Sequence, residues 1–127
     1  MFLRLELFVD DIARSIAFYK SVLGFEIDRE EPGYASIRNG DAILGIGLAA
    51  HLPPGHHFSP EIRTARRGIG TEIVLEVGDV QASFEQARRS GATILTKLGT
   101  RSWGATDYRI ADPDGYYLRI TSRTSNP

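Results

Sequence analysis

Two stretches of this chain, "RLELFVDDIARSIAFY" and "EIVLEVGDVQASFEQA", superpose at one offset of 68 residues: Val9 falls on Val77, Asp11 on Asp79, Ile12 on Val80, Ser15 on Ser83, Ile16 on Phe84 and Tyr19 on Ala87. An internal repeat constrains the fold strongly, because each copy has to be one supersecondary unit that cannot hide its apolar face alone. In both copies an alternating strand runs into an aspartate, after which apolar residues recur at i, i+4 and i+7, the spacing of one helix face. Asp11 and Asp79 are placed to cap those helices. Gly24 and Gly91 are placed to end them.

Short strands follow each helix: "FEIDRE", "YASIRN" and "AILGIGL" in the first copy, "ATILTK", "ATDYRIA" and "YYLRIT" in the second. Asn39-Gly40 and Asp112-Pro113-Asp114-Gly115 mark the hairpin turns. Each half therefore reads as a βαβββ module. The expected class is α+β, in one domain over 1–127: a first module at 1–48, a connecting loop at 49–69 and a second module at 70–123. One helix per module covers the outer face, and the other faces form a curved mixed sheet around a central cavity.

Composition narrows the function classes. The absence of cysteine excludes thiol catalysis and thiolate zinc sites, and suits a reducing compartment. A net charge of −1 provides no field for nucleic acid. No stretch reaches the ~18 to 20 apolar residues of a membrane span, and the charged N-terminal run "MFLRLELFVDD" does not read as a secretory signal. The expectation is a cytoplasmic protein with no nucleic-acid and no membrane partner. Arg63, Arg66 and Arg67 are expected on a solvated loop. That loop is too long for an ordinary connection and reads as a lid or binding segment. It also holds all three histidines, His51, His56 and His57, at spacings that preorganise no metal site. The polar tail "TSRTSNP" is expected to fray.

Strand alternation assigns the faces. Leu3, Leu5, Leu7, Val9, Ile73, Leu75, Val77, Leu118 and Ile120 face the helices. Phe2, Arg4, Glu6, Phe8, Glu72, Val74, Glu76, Tyr117, Arg119 and Thr121 face the cavity. Arg4, Glu72 and Arg119 thus stand at similar depth among large apolar groups, which a purely water-exposed face would not carry.

The motifs "FVDDIARSIAFYKSVLGFEI" and "WGATDYRIADPDGYYLRI", with "GTEIVLEVGDV" between them, resemble the vicinal oxygen chelate superfamily, which includes glyoxalase I, extradiol dioxygenases and bleomycin-binding resistance proteins. The resemblance covers nearly the whole chain. It implies that metal-dependent members would carry ligands at Arg4, Glu72 and Arg119 and within residues 43–47. Arginine has no lone pair to offer a cation, and residues 43–47 contain no ligand. No metal and no cofactor are therefore expected, and two guanidinium groups around Glu72 are expected to fill the space instead. The resemblance also implies that Trp103 flanks a binding groove, although a tryptophan packed in the core is an equal alternative.

The function expected is a metal-free protein that sequesters a small aromatic or heterocyclic molecule, neutral or anionic, as a homodimer. Its binding residues are Phe2, Arg4, Glu6, Phe8, Glu72, Trp103, Tyr117 and Arg119. The alternative is an enzyme, glyoxalase-like lyase or isomerase or dioxygenase-like, with a metal-free form using Glu72 as its catalytic general base favoured over a metal-dependent one.

Overall fold

The computed structural model describes residues 1–123; the end of the tail, 124–127, lies outside the described residues, and with it part of the expectation of fraying. Strand β1 (Leu5–Val9) leads to Asp11, whose side chain accepts from the Arg14 N–H at 3.1 Å and so caps helix α1 (Ile12–Leu23). Ser15, Ile16, Tyr19 and Val22 form the buried stripe of α1. Gly24 ends the helix at φ 71°, in the left-handed region that glycine tolerates best. Strands β2 (Glu26–Glu31), β3 (Tyr34–Asn39) and β4 (Ala42–Leu48) complete the module.

The second module repeats the plan. β5 (Ile73–Val77) runs to Asp79, which caps α2 (Val80–Arg89) through the Ala82 N–H at 3.0 Å, and β6 (Thr93–Thr100), β7 (Thr106–Ala111) and β8 (Tyr117–Ser122) follow. Each module has its own four-stranded mixed sheet, ordered β1-β4-β3-β2 and β5-β8-β7-β6. In each, the first strand pairs in parallel with the last and the other pairs are antiparallel. The α+β class and its two βαβββ modules are as the repeat requires.

Details differ from the sequence reading. Asn39 pairs with Ala42, so the turn residues are Gly40 and Asp41, and the Asn39 side chain instead donates to the Leu23 carbonyl at the end of α1. Leu3 is 79% exposed, because β1 begins only at Leu5.

The core packs both modules together. Val9, Tyr19, Ile37, Ile46, Tyr108, Ile110, Leu118 and Ile120 are fully buried, and each aliphatic side chain among them contributes about 1.5–3 kcal/mol by leaving water. Polar bonds fix the junction: the Tyr19 hydroxyl donates to Asp112 at 2.7 Å, and the Asp10 N–H donates to Asp114 at 2.9 Å. The Tyr116 hydroxyl accepts from the Phe8 N–H and donates to the Phe8 carbonyl. The Pro-Asp-Gly hairpin is thus a docking element for the first module as well as a turn.

The loop 49–69 contains two single turns of 3₁₀ helix, Ala49–His51 and Glu61–Arg63. Arg63 and Arg66 are exposed as expected, but Arg67 is buried. Its guanidinium donates to Asp10 at 2.7 Å, to the Phe8 carbonyl at 2.9 Å and to the Ile62 carbonyl at 3.0 Å, and lies 3.5 Å from Asp114. A charge count along the sequence could not separate Arg67 from its neighbours, because its carboxylate partners Asp10 and Asp114 lie 57 and 47 positions away, on either side of the loop.

Candidate functional site

Beneath that loop, beside β1, lies a cavity of about 480 Å³. Its walls are mainly apolar: Leu5, Leu7, Phe8, Phe58, Ile62 and Ile73, with Tyr116 and Tyr117 from the second module. Glu6, Glu61, Arg66 and Arg67 supply charge around it. Phe8 meets Phe58 and His56 edge-on at 5.5 and 5.7 Å between ring centres, a geometry that aromatic quadrupoles favour. His56 Nδ1 accepts from the Phe58 N–H at 3.1 Å, which fixes the imidazole against the chain.

Two further groups of polar side chains stand on the sheet faces turned away from the helices. On the first sheet, Arg4 pairs with Glu6 at 3.1 Å, and the Tyr34 hydroxyl donates to Glu6 at 3.0 Å. Partial burial, and then the Glu6 carboxylate, push the Tyr34 phenol above its ordinary pKa. Glu6 is in register with Gly45 on β4, and its carboxylate occupies the space that a side chain at position 45 would need.

On the second sheet, Arg119 Nε donates to Glu72 at 3.0 Å. Asp107 on β7 is wholly buried and accepts from Arg101 Nε at 2.7 Å, with Arg119 Nη1 and Arg109 Nη2 at 3.8 and 3.9 Å from its other oxygen. Arg109 donates to the Tyr117 hydroxyl at 3.1 Å.

The residues singled out in the sequence are therefore distributed over three places. Glu6, Phe8 and Tyr117 line the cavity. Glu72 and Arg119 meet on the second sheet, but Arg4 does not join them: β1 belongs to the other sheet, and Arg4 takes Glu6 as its partner. The expected two guanidiniums around Glu72 reduce to one. Phe2 is 98% exposed and Trp103 65%; Trp103 is not a core residue and does not line the cavity. The sequence reading passed over Asp107, Arg109, Arg101 and Tyr34. Alternation in "ATDYRIA" carried a signal for the first two, since it sets Asp107 and Arg109 on the face opposite the core residues Tyr108 and Ile110.

The donors present do not fit the divalent cation of the metal-dependent relatives. Arg4 and Arg119 offer only N–H donors. Glu6, the carboxylate lying over Gly45, is already engaged by Arg4 and Tyr34. Among the described residues no cluster of three or more His, Cys, Asp or Glu stands ready to hold a metal.

Paired βαβββ modules with polar faces turned away from their helices define a repeat-built α+β scaffold of the vicinal oxygen chelate type. Residues 2–120 match the family model of the Glyoxalase/Bleomycin resistance protein/Dioxygenase superfamily, and the chain belongs to that superfamily. An uncharacterized protein of Mycobacterium bovis is 34% identical over 122 residues, covering 90% of this chain and 78% of the relative. A lactoylglutathione lyase of Salmonella typhimurium is 30% identical over 118 residues, covering 88% of this chain and 84% of the lyase. Among solved structures, TioX from Micromonospora sp. ML1 superposes with a TM-score of 0.77 at 21% identity, over 98% of this chain and 99% of TioX, which shows the shared fold. No helix among the described residues is long and apolar enough to cross a membrane.

Proposed function

We propose that this chain is a metal-free small-molecule-binding protein that sequesters an aromatic or heterocyclic ligand, neutral or anionic, and works as a cytoplasmic homodimer. The observation that carries the reading is the cavity of about 480 Å³, apolar-walled with a few charged groups around it; ligand sites are commonly ~300–1,000 Å³ and built in that way. Phe8 and Tyr117 provide the aromatic walls, and Glu6 a polar contact. The arginines where relatives carry metal ligands support a function without a cation. A second copy is the partner that suits the exposed Phe2, Leu3, Val74 and Trp103. The absence of cysteine suits the cytoplasm. Sequestration of a toxic aromatic compound, in the manner of a resistance protein, is the physiological role this reading implies.

The test is titration with 2-naphthamide, a neutral bicyclic probe, followed by NMR of the aromatic side chains. Shifts at Phe8, Phe58 and Tyr117 that vanish in Phe8→Ala are expected. A probe that moves none of these resonances overturns the reading.

A second reading is favoured by the Salmonella lyase and by the position of Glu72, held by Arg119 and still 37% exposed. In it the protein is a metal-free enzyme, with Glu72 removing a proton beside a carbonyl and Arg119 balancing the charge that develops. Glu72→Gln is then expected to abolish turnover while ligand affinity persists. Unchanged turnover in that variant removes Glu72 from the chemistry.

A further inference from the structure

Arg109 and Arg119 are partners in the antiparallel register of β7 and β8, so their side chains rise directly opposite each other on one face. Like charges in that relation are destabilising, and a sheet face with no other task has no reason to keep them there. Such local violations are where functional sites are expected.

The surroundings are built to hold these cations. Asp107 lies beneath them, wholly buried, with Arg101 occupying one of its oxygens at 2.7 Å. Its other oxygen is 3.8 Å from Arg119 and 3.9 Å from Arg109, too far for a hydrogen bond. Among the described residues, that oxygen and Arg109 Nε are both buried without a hydrogen-bond partner. Within this group three guanidiniums face two carboxylates, Asp107 and Glu72, and among the described residues Glu72 pairs only with Arg119. Glu76 stands further along β5, in register with Thr121. Arg109 is also tied to Tyr117, its hydroxyl 3.1 Å away, and Tyr117 lines the cavity. Tyr117 is therefore shared by the cavity wall and the arginine pair, neither member of which lines the cavity itself.

We propose that Arg109 and Arg119 receive the carboxylate of an aromatic acid whose ring system occupies the cavity beside Tyr117. The inference rests on the binding reading above and narrows its ligand to an anion. Charge-assisted, paired N–H···O bonds are the contacts arginine makes best with a carboxylate. Asp107 and Arg101 act as positioning residues: the buried carboxylate gathers the guanidiniums but has no surface to offer a ligand. Glu72 competes with the ligand for Arg119.

Calorimetric titration of 2-naphthoate against 2-naphthamide, which share a ring system and differ in charge, tests the inference. The wild-type protein is expected to bind the acid about tenfold or more tighter than the amide. Arg109→Gln is expected to erase that ratio, mainly by weakening the acid, and to hold or raise the melting temperature, since a like-charge pair is relieved. Glu72→Gln is expected to tighten the acid further. Equal affinities for acid and amide in the wild type overturn the anion site and leave the cavity reading standing. Binding of neither overturns both. A lower melting temperature in Arg109→Gln with the ratio intact also overturns the proposal, because Arg109 is then a structural cation.

Discussion

The hydroxyl of Tyr19 and the carboxylate of Asp112 meet at 2.7 Å, joining the helix of the first module to the last hairpin of the second across 93 residues of chain. Both side chains are buried, and the other Asp112 oxygen accepts from the Asp114 and Tyr116 N–H groups. Removing the hydroxyl leaves a buried carboxylate oxygen without its donor. Tyr19→Phe is expected to cost about 1–3 kcal/mol in urea unfolding; a change within experimental error means that the hydrogen bond does not hold the junction.

The same pair sets a pH dependence. Burial pushes the Asp112 carboxyl above its ordinary value of 3.8, against the lowering effect of the Tyr19 hydroxyl and the two N–H groups. A carboxyl whose pKa is higher folded than unfolded contributes stability below the unfolded value, and that contribution falls as pH rises through the folded one. Between pH 3.8 and the raised folded value, wild-type stability is therefore expected to fall relative to Asp112→Asn as pH increases. Denaturant midpoints of both proteins across acid pH check the sign; parallel curves contradict it.

Arg67 is the one loop arginine whose removal is expected to matter for folding. Arg67→Met removes the buried guanidinium that ties the Ile62 and Phe8 carbonyls to Asp10, while Asp114 keeps the Asp10 N–H and the Phe8 carbonyl keeps the Tyr116 hydroxyl, so the expected cost is about 1.5–3 kcal/mol for the lost charged hydrogen bonds. Arg66→Met, at an exposed position, is expected to stay within about 0.5 kcal/mol. Thermal melts with limited proteolysis of residues 52–70 measure the contrast, and equal losses in the two variants refute it.

Glu6 and Gly45 are expected to be coupled. In Gly45→Ala the new methyl group collides with the Glu6 carboxylate and with the Tyr34 hydroxyl bound to it, so Glu6 must swing outward and give up Arg4 and Tyr34. The cost is about 1 kcal/mol, and it should shrink in a Glu6→Ala background, where the Tyr34 hydroxyl, no longer held by Glu6, is free to turn away. A double-mutant cycle reads this coupling directly, and additive losses show that the two positions act independently.

Trp103 is the single tryptophan of the chain, so its emission reports one place. At 65% exposure, Trp103→Ala is expected to change stability by less than about 0.5 kcal/mol, and wild-type emission is expected at the wavelength of a water-exposed indole. A blue shift on raising protein concentration would locate Trp103 in the proposed homodimer contact.

The two modules, their caps and their hairpins, the first of these hairpins to within one residue, were legible because each depends on residues a few positions apart. Asp11 and Asp79 cap from within their own first turns, and the apolar period of α1 places Ile16, Tyr19 and Val22 on one buried stripe. The pairing of Glu72 with Arg119 was legible for a related reason, since alternation puts both on the same face of neighbouring strands.

Tertiary structure alone decided which partners the remaining charges take. Arg4 and Glu72 are equivalent in the repeat, yet they immediately precede the first strands of separate sheets, and Arg4 turns to Glu6 two residues away. Arg67 looks in sequence like its solvated neighbours and becomes a buried clamp only because Asp10 and Asp114 converge on it from 57 and 47 positions away. Asp107 likewise gathers Arg101 from the β6–β7 connection and Arg119 from β8 only once those strands lie side by side. Periodicity records which face a side chain shares, a property of local backbone geometry. The way two modules dock across a 21-residue loop at 49–69 depends on packing between distant surfaces, and no local pattern in the chain encodes it.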